Sequence, residues 1–152
     1  MLIHELTTAD CHEVLRRNHV ARIACSRDDH AYVVPISFNF DGEHLYSFAT
    51  LGQKIVWMRE NPNVCVEVDE IEDRFHWTTV LVFGRYEELR SPVEHELARE
   101  RARGLFEQRD EWWQPAIAKA GMEHHVPVVY RIVISRITGR RADRPGQASR
   151  PD

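Results

Sequence analysis

Leu45-Tyr46-Ser47-Phe48-Ala49-Thr50-Leu51-Gly52-Gln53-Lys54 is the stretch that decides how this chain is organised. It starts as a β-strand, passes through small hydroxyl residues and a glycine, and enters a helix that continues Ile55-Val56-Trp57-Met58-Arg59-Glu60. The helix stops at Asn61-Pro62, because proline has no N–H to donate and disfavours helical geometry in the residue before it. At such a junction several backbone N–H groups lack an intrahelical partner, and the helix dipole is positive. The hydroxyls of Ser47 and Thr50 and the ammonium of Lys54 converge there, a chemically sensible seat for a phosphate monoester. No G-x-x-x-x-G-K-[ST] run is present, so the stretch is not a P-loop. The blander reading of the same residues is a surface turn ahead of an amphipathic helix.

Upstream, Asp41-Gly42 is a hairpin signal that joins this strand to a preceding one over Ala31–Phe40. Pro35 lies inside that preceding strand and removes a ladder donor, which places the strand at an edge or at a bulge. Val20–Ser26 reads as a further strand, set off by the polar turn Arg27-Asp28-Asp29-His30. Thr7-Thr8-Ala9-Asp10 reads as a helix start, with a threonine cap and an acid in the first turn. That helix runs to about Arg17, buries Cys11, Val14 and Leu15, and ends at Asn18.

Downstream, Asn63–Asp69 alternates, with Val64, Val66 and Val68 on one face and Cys65, Glu67 and Asp69 on the other. After the charged loop Ile71–His76 comes a long strand, Trp77–Leu89, whose centre Val80-Leu81-Val82-Phe83 is apolar on both faces. One face meets the core and the other needs a cover, most simply a second subunit. Gly84 predicts a bulge or a close backbone approach. Ser91-Pro92-Val93-Glu94 has the form of a capped helix start. The helix it opens carries the apolar stripe Val93, Leu97, Ala98, Ala102, Leu105 and Phe106, with its charges on a solvated face. Arg109–His125 is a connector containing Trp112-Trp113, and Val126–Ile137 is a last strand. The expected fold is therefore mainly β (α+β): a six-stranded antiparallel barrel with peripheral helices. The domain spans 1–141, and 142–152 is a flexible tail.

Composition fits one globular domain: 152 residues, 43% hydrophobic and 29% charged, are enough to bury a core. A net charge of −4 gives no reason to expect nucleic acid as a partner. No apolar run is long enough to span a bilayer, and the first residues lack the pattern of a secretory signal, so the expected location is cytoplasmic. Cys11, Cys25 and Cys65 form no C-x-x-C and have no zinc-ligand spacing, so neither a structural disulfide nor a metal is expected. His124-His125 diverge on any regular element and read as solvated loop residues. His76, beside Trp77, reads as structural or as a neighbour of a ligand. Trp112-Trp113 reads as a lid or as cover for the barrel mouth.

Four segments in order resemble the FMN-binding split barrels related to pyridoxamine 5′-phosphate oxidase, in particular the general-stress and nitroimidazole-resistance branch. They are Tyr32–Phe38, Leu45–Lys54, Asn61–Val68 and Trp77–Arg85, with Tyr130-Arg131-Ile132 to Ile137-Thr138-Gly139 fitting the family's last strand. The resemblance implies a split barrel, FMN at the interface of a homodimer, and flavin-dependent oxidation or reduction of a small planar substrate. It implies backbone contacts to the flavin ring from Val34, Pro35 and Ile36, and ribityl and phosphate contacts from Ser47, Thr50, Gln53 and Lys54. It implies that Trp77 and Thr79 approach from the partner subunit. Sister branches bind haem or a deazaflavin, so a flavin- or haem-binding protein without turnover is the alternative. The nitroimidazole-resistance branch carries a histidine where Ser47 stands, and no catalytic residue is assigned. True pyridoxamine-phosphate oxidases carry basic residues in place of Val33–Ile36 and a C-terminal motif that Ile137-Thr138-Gly139-Arg140-Arg141 does not match, so that activity is not expected.

Overall fold

A computed structural model describes residues 1–90, 93–107 and 128–144. In chain order it contains β1 (Leu2–Glu5), α1 (Thr8–Arg17), β2 (Val20–Arg27), β3 (His30–Ser37), β4 (Asn39–Phe40) and β5 (His44–Ala49). These are followed by α2 (Gln53–Glu60), β6 (Asn63–Ile71), β7 (Trp77–Glu88), α3 (Glu96–Glu107) and β8 (Val128–Asp143). The strands form one antiparallel sheet in the order β3-β2-β6-β7-β8-β5-β4, with β1 paired to the far end of β8. β3 and β4 sit at opposite ends of that order, yet only Phe38 separates them in sequence. The sheet must therefore curl back on itself, and the result is a split barrel.

The six expected strands are present, and two short ones join them. β4 arises because the expected strand Ala31–Phe40 breaks at Phe38, whose side chain is fully buried and whose N–H donates to the His19 carbonyl at 3.0 Å. β1 has no strand signal beyond its apolar start, and its pairing with β8 is tertiary. β8 runs through Asp143, so Ala142 and Asp143, the first residues of the expected tail, belong to the sheet.

Local chemistry explains the turns. Thr7 caps α1 by accepting from the Asp10 N–H at 3.1 Å, and the helix buries Cys11, Val14 and Leu15. Asp28 and Asp29, both at positive φ, close the β2–β3 hairpin in two residues. Gly42 (φ +98°) turns the β4–β5 hairpin, where Asp41 accepts from the N–H groups of Glu43 and His44. The core unites Ile23 of β2, Val66 and Val68 of β6, and Val80 and Val82 of β7 with α1 and with Ile55 and Met58 of α2.

On α3 the apolar stripe is split. Ala98, Ala102 and Leu105 pack on Tyr46, Leu89 and Val129, while Val93 and Leu97 are 89% and 82% exposed. The charges are not all solvated either, since Arg99 donates to the Leu89 carbonyl and Arg101 pairs with Asp41 at 3.1 Å. Ser91-Pro92, the 109–125 connector with its paired tryptophans, His124-His125 and the Phe106 side chain lie outside the described residues.

The expected irregularity at Gly84 is present. β7 pairs β8 from Trp77–Ala142 to Glu88–Tyr130, and the register slips between Phe83 and Gly84, leaving Ser135 as the extra residue. A Cβ on Gly84 would collide with the Val133 carbonyl oxygen and sit 2.8 Å from Ile132 Cγ2. Gly84→Ala is expected to destabilise the fold by about 2–3 kcal/mol through overpacking. Urea unfolding should show a lower midpoint at an unchanged slope; a loss below about 0.5 kcal/mol would show that the bulge relaxes freely.

Candidate functional site

The strand-to-helix junction expected after β5 is present. β5 ends at Ala49, residues 50–52 are exposed, and Gly52 is the N-cap of α2 without any side-chain capping bond. The first N–H groups of the helix therefore face outward with their partial positive charge uncompensated by a cap. Lys54 stands in this first turn, half-buried, and forms no ion pair among the described residues. Burial lowers its pKa, and the Cys25 thiol beside it acts weakly in the other direction. The Cys25 thiol is itself pushed up by burial and stays protonated at neutral pH. Lysine occurs only at positions 54 and 119, arginine supplying the other basic side chains. A desolvated ammonium with no carboxylate beside an uncapped helix terminus is a site suited to an anion. Thr50 and Gln53 are exposed around it.

α2 is held firmly enough to aim that charge. Ile55 and Met58 are fully buried, and Asn61 Nδ2 reaches the Ser26 carbonyl and hydroxyl at 3.2 and 3.1 Å. Arg59 grips Glu88 at the end of β7 through two bonds of 2.8 Å. Glu88 also accepts from Arg90 and from the Tyr86 hydroxyl at 2.8 Å. Led by the Arg59 bonds, these donors hold its carboxyl at about 2.

β3 is the open edge of the sheet, as Pro35 implied. Two bonds fix which of its backbone groups point outward. The Phe38 N–H turns toward the β2 side, to His19, whereas the Ser37 carbonyl accepts the Ser47 hydroxyl at 2.7 Å from the other side. Backbone groups alternate along a strand, so Val33 and Pro35 present theirs to the open edge while Val34 and Ile36 turn theirs to β2. Of the expected trio, Pro35 alone offers a free backbone group, its carbonyl, and Val33 completes the edge. The Val34 side chain is half-buried, and that of Ile36 lies in the core.

Ser47 is 2% exposed and uses its hydroxyl proton to stitch β5 to the end of β3. Its cross-strand partner Tyr130 is fully buried, and burial pushes the pKa of its hydroxyl up to about 12. Ser47 is thus part of the barrel's closure, beneath the seat rather than on its surface.

Trp77 and Thr79 lie on a different element from Lys54. They begin β7, whose other end, Glu88, meets Tyr130 and α2. At about 3.3 Å per residue the two ends lie roughly 36 Å apart along the strand. Thr79 Oγ1 donates to Glu67 at 3.2 Å, and the His76 ring is tied to Asp73 at 3.0 Å, which favours the structural reading of His76. Among the described residues no group of three metal-ligating side chains converges, and no helix is long and apolar enough to cross a membrane.

Three residues around Lys54 carry no sequence motif: Cys25, Tyr32 and Trp57. Cys25 pairs with Tyr32 across the β2–β3 hairpin, and the Trp57 ring lies 5.5 Å from that of Tyr32. A signal for them existed. Lys54 and Trp57 are three apart on a helix, and the two-residue Asp28-Asp29 turn dictates the Cys25–Tyr32 pairing.

Residues 7–141 match the family described as pyridoxamine 5′-phosphate oxidase. The chain belongs to that family. An uncharacterised protein of Rhizobium meliloti (strain 1021) is 34% identical over 148 residues, 93% of this chain and 97% of the relative. An FAD-binding protein of Mesorhizobium loti is 40% identical, covers 94% of this chain and all of its own, and superposes with a TM-score of 0.78. An FAD-binding protein of Mycobacterium smegmatis shares the fold at 20% identity and a TM-score of 0.61, covering 94% of this chain and 99% of its own. Within the pyridoxamine 5′-phosphate oxidase family the fold expectation holds, and the seat at Lys54 lies inside the matched segment.

Glu88 supplies a pH test of how α2 is mounted. Its carboxyl lies below its ordinary value of 4.5, so its contribution is complete above pH 4.5 and is lost as pH falls toward 2. Glu88→Gln should cost about 1–2 kcal/mol at pH 7, after allowance for solvent around Arg59. Urea unfolding at pH 7 and pH 3 should show the gap between variant and parent narrowing at the lower pH. A constant gap would assign the loss to packing.

Proposed function

We propose that the protein binds a flavin by its phosphate at Lys54 and acts as a homodimer in the oxidation or reduction of a small planar substrate. The observation that carries this reading is the half-buried Lys54 ammonium, without an ion pair among the described residues, at the uncapped start of α2. A flavin phosphate is close to a dianion at neutral pH, and it would supply the missing counter-charge while accepting from the α2 N–H groups, Thr50 and Gln53. FMN carries every group that these contacts address. The ring would lie along the open edge of β3, where the Val33 amide and the Val33 and Pro35 carbonyls face outward. When bound, the flavin supplies the redox chemistry, and the protein sets its orientation and the access of water. The flavin bound by the Mesorhizobium loti relative supports the same cofactor class.

The second copy is supported by the outer face of the sheet. Leu81 and Phe83 are half-buried there, and Val20 and Val33 are 57% and 63% exposed. A neighbouring copy would cover these four and bring its own Trp77 and Thr79 to the ring. The pyridoxamine-phosphate oxidase reaction itself is not proposed, since Ile137-Thr138-Gly139-Arg140-Arg141 does not match the C-terminal motif of the true oxidases.

Lys54→Ala should weaken FMN binding about ten- to a hundred-fold, the range expected for one charge-assisted contact. The variant without ligand should be no less stable than the parent, because it removes an unpaired buried ammonium. Flavin fluorescence titration and thermal unfolding check the two halves. Unchanged affinity would remove Lys54 from the site, and a monomer by analytical ultracentrifugation would remove the partner's residues from it.

A further inference from the structure

The far end of the β7–β8 ladder carries two arginines that no contact described above employs. Trp77 opens β7 and pairs with Ala142, which pairs in turn with Ile3 of β1, while Ile71 at the end of β6 faces Trp77 from the other side. These four form one row across four strands, in which Ile3 and Ile71 are exposed and Trp77 is half-buried. Two residues beyond the Trp77–Ala142 pair, the same alternation sets Phe75 against Arg144. The Arg144 guanidinium lies 4.8 Å from the centre of the Phe75 ring, and that of Arg74 lies 4.4 Å from the same centre. The two cations are therefore no more than about 9 Å apart.

Both arginines are exposed, and neither forms an ion pair among the described residues. Two neighbouring carboxylates are engaged elsewhere. Asp73 accepts from the Phe75 and His76 N–H groups at 2.6 and 2.9 Å and holds the His76 ring at 3.0 Å, and Asp143 faces His4 at 3.7 Å. With the Glu72 N–H donating to the His76 carbonyl at 3.0 Å, these bonds pin the loop ahead of β7 and make Phe75 a fixed mount. One guanidinium on a ring gains from the attraction between cation and π-face. Two on one ring repel each other, and an anion between them removes that repulsion. Each offers a planar fork of donors that matches a carboxylate. Beside the fork stands the apolar row, whose indole and isoleucines suit a flat hydrocarbon body. Charge and apolar floor side by side select a ligand that has both.

We propose that Arg74 and Arg144 hold the carboxylate of a small aromatic acid whose ring lies on Trp77 and Ile71. This deepens the function proposed above, on which it rests for the place of the site. A copy that lends Trp77 to a neighbour's flavin lends these arginines with it, and the small planar substrate then carries a carboxylate. The binding itself needs one chain and no flavin, so the two readings can fail separately.

The test is calorimetric titration of the full-length protein with benzoate, with benzamide as its uncharged counterpart, and with acetate as a carboxylate that lacks the ring. The parent is compared with Arg74→Gln and Arg144→Gln, and FMN is titrated into the same three proteins. The parent should bind benzoate at least about ten-fold tighter than benzamide or acetate, the scale of one charge-assisted contact. Each substitution should weaken benzoate about five- to ten-fold and leave benzamide and FMN within about two-fold. Thermal unfolding should not move, because both side chains are exposed. Added salt should weaken benzoate and spare benzamide. With FMN bound, benzoate should shift the flavin absorbance bands. Benzamide bound as tightly as benzoate, or benzoate indifferent to both substitutions, would overturn the arginine pair and leave the flavin reading standing. Acetate as tight as benzoate would remove the aromatic acid as the ligand class, and unshifted flavin bands would remove the site from the slot. Benzoate bound as expected by a protein that takes up no FMN would keep the arginine site and sink the flavin reading.

Discussion

The pairing of β7 with β8 is the constraint from which the rest of the molecule follows. It runs unbroken in direction from Trp77–Ala142 to Glu88–Tyr130, and every other strand reaches the sheet through one of these two. A ladder this long cannot stay flat, since each strand carries a right-handed twist that accumulates along its length. The slip at Gly84 absorbs part of that strain. Ser135 is the inserted residue, its hydroxyl donates to the Phe83 carbonyl at 2.9 Å, and the missing side chain at position 84 lets the Val133 backbone come close. Beyond the slip the sheet bends enough for β5 to return to β3, where the Ser47 hydroxyl closes the seam. A single absent methyl group in β7 is thus coupled to the closure of the barrel.

The same ladder sets the mounting of α2. The helix is short, and its own hydrogen bonds would not hold it in place. Ile55 and Met58 in the core and the Arg59–Glu88 clamp fix its end, with Glu88 belonging to the last residue of β7. Lys54 is then held in a half-buried position where its charge is penalised by burial and no carboxylate pairs with it among the described residues. A fold selected for stability alone has no use for such a group, because a methionine of similar length would bury without the desolvation cost. The arrangement makes physical sense when an anion completes it.

Much of this was legible from local chemistry. The Thr7 cap, the Asp41-Gly42 turn, the edge position of Pro35, the bulge at Gly84 and the strand-to-helix junction at Lys54 each rest on a few neighbouring residues, and each is found. What was not legible depends on partners distant in sequence. β1 carries exposed residues and owes its existence to the free edge of β8. Ser47 reads as a ligand contact because hydroxyls near a helix start so often are, and only the return of β5 to Ser37 shows where its proton goes. The resemblance implies ring contacts from the Val34 and Ile36 backbone, yet these groups turn to β2, because the phase of a strand is set by its neighbour, not by its own sequence. On α3 the stripe is real in Ala98, Ala102 and Leu105, but Leu97, and Val93 ahead of the helix, face outward because α3 meets the barrel through alanines and polar ties.

The separation between the two ends of β7 bears on how such a site evolves. A seat built wholly within one barrel would draw its cation, its edge and its aromatic wall from residues whose spacing is locked by one core. Here the cation stands on α2, whose last turn is clamped to Glu88 at one end of the ladder, while Trp77 and Thr79 belong to the other end. In the proposed dimer the geometry between those groups is set by the packing of two outer sheet faces, which can shift without disturbing Val66, Val80 or any other core residue. The ladder that stabilises each barrel would then leave the width of the slot to be tuned separately. That division fits a family fold in which one β scaffold carries ligands of different size.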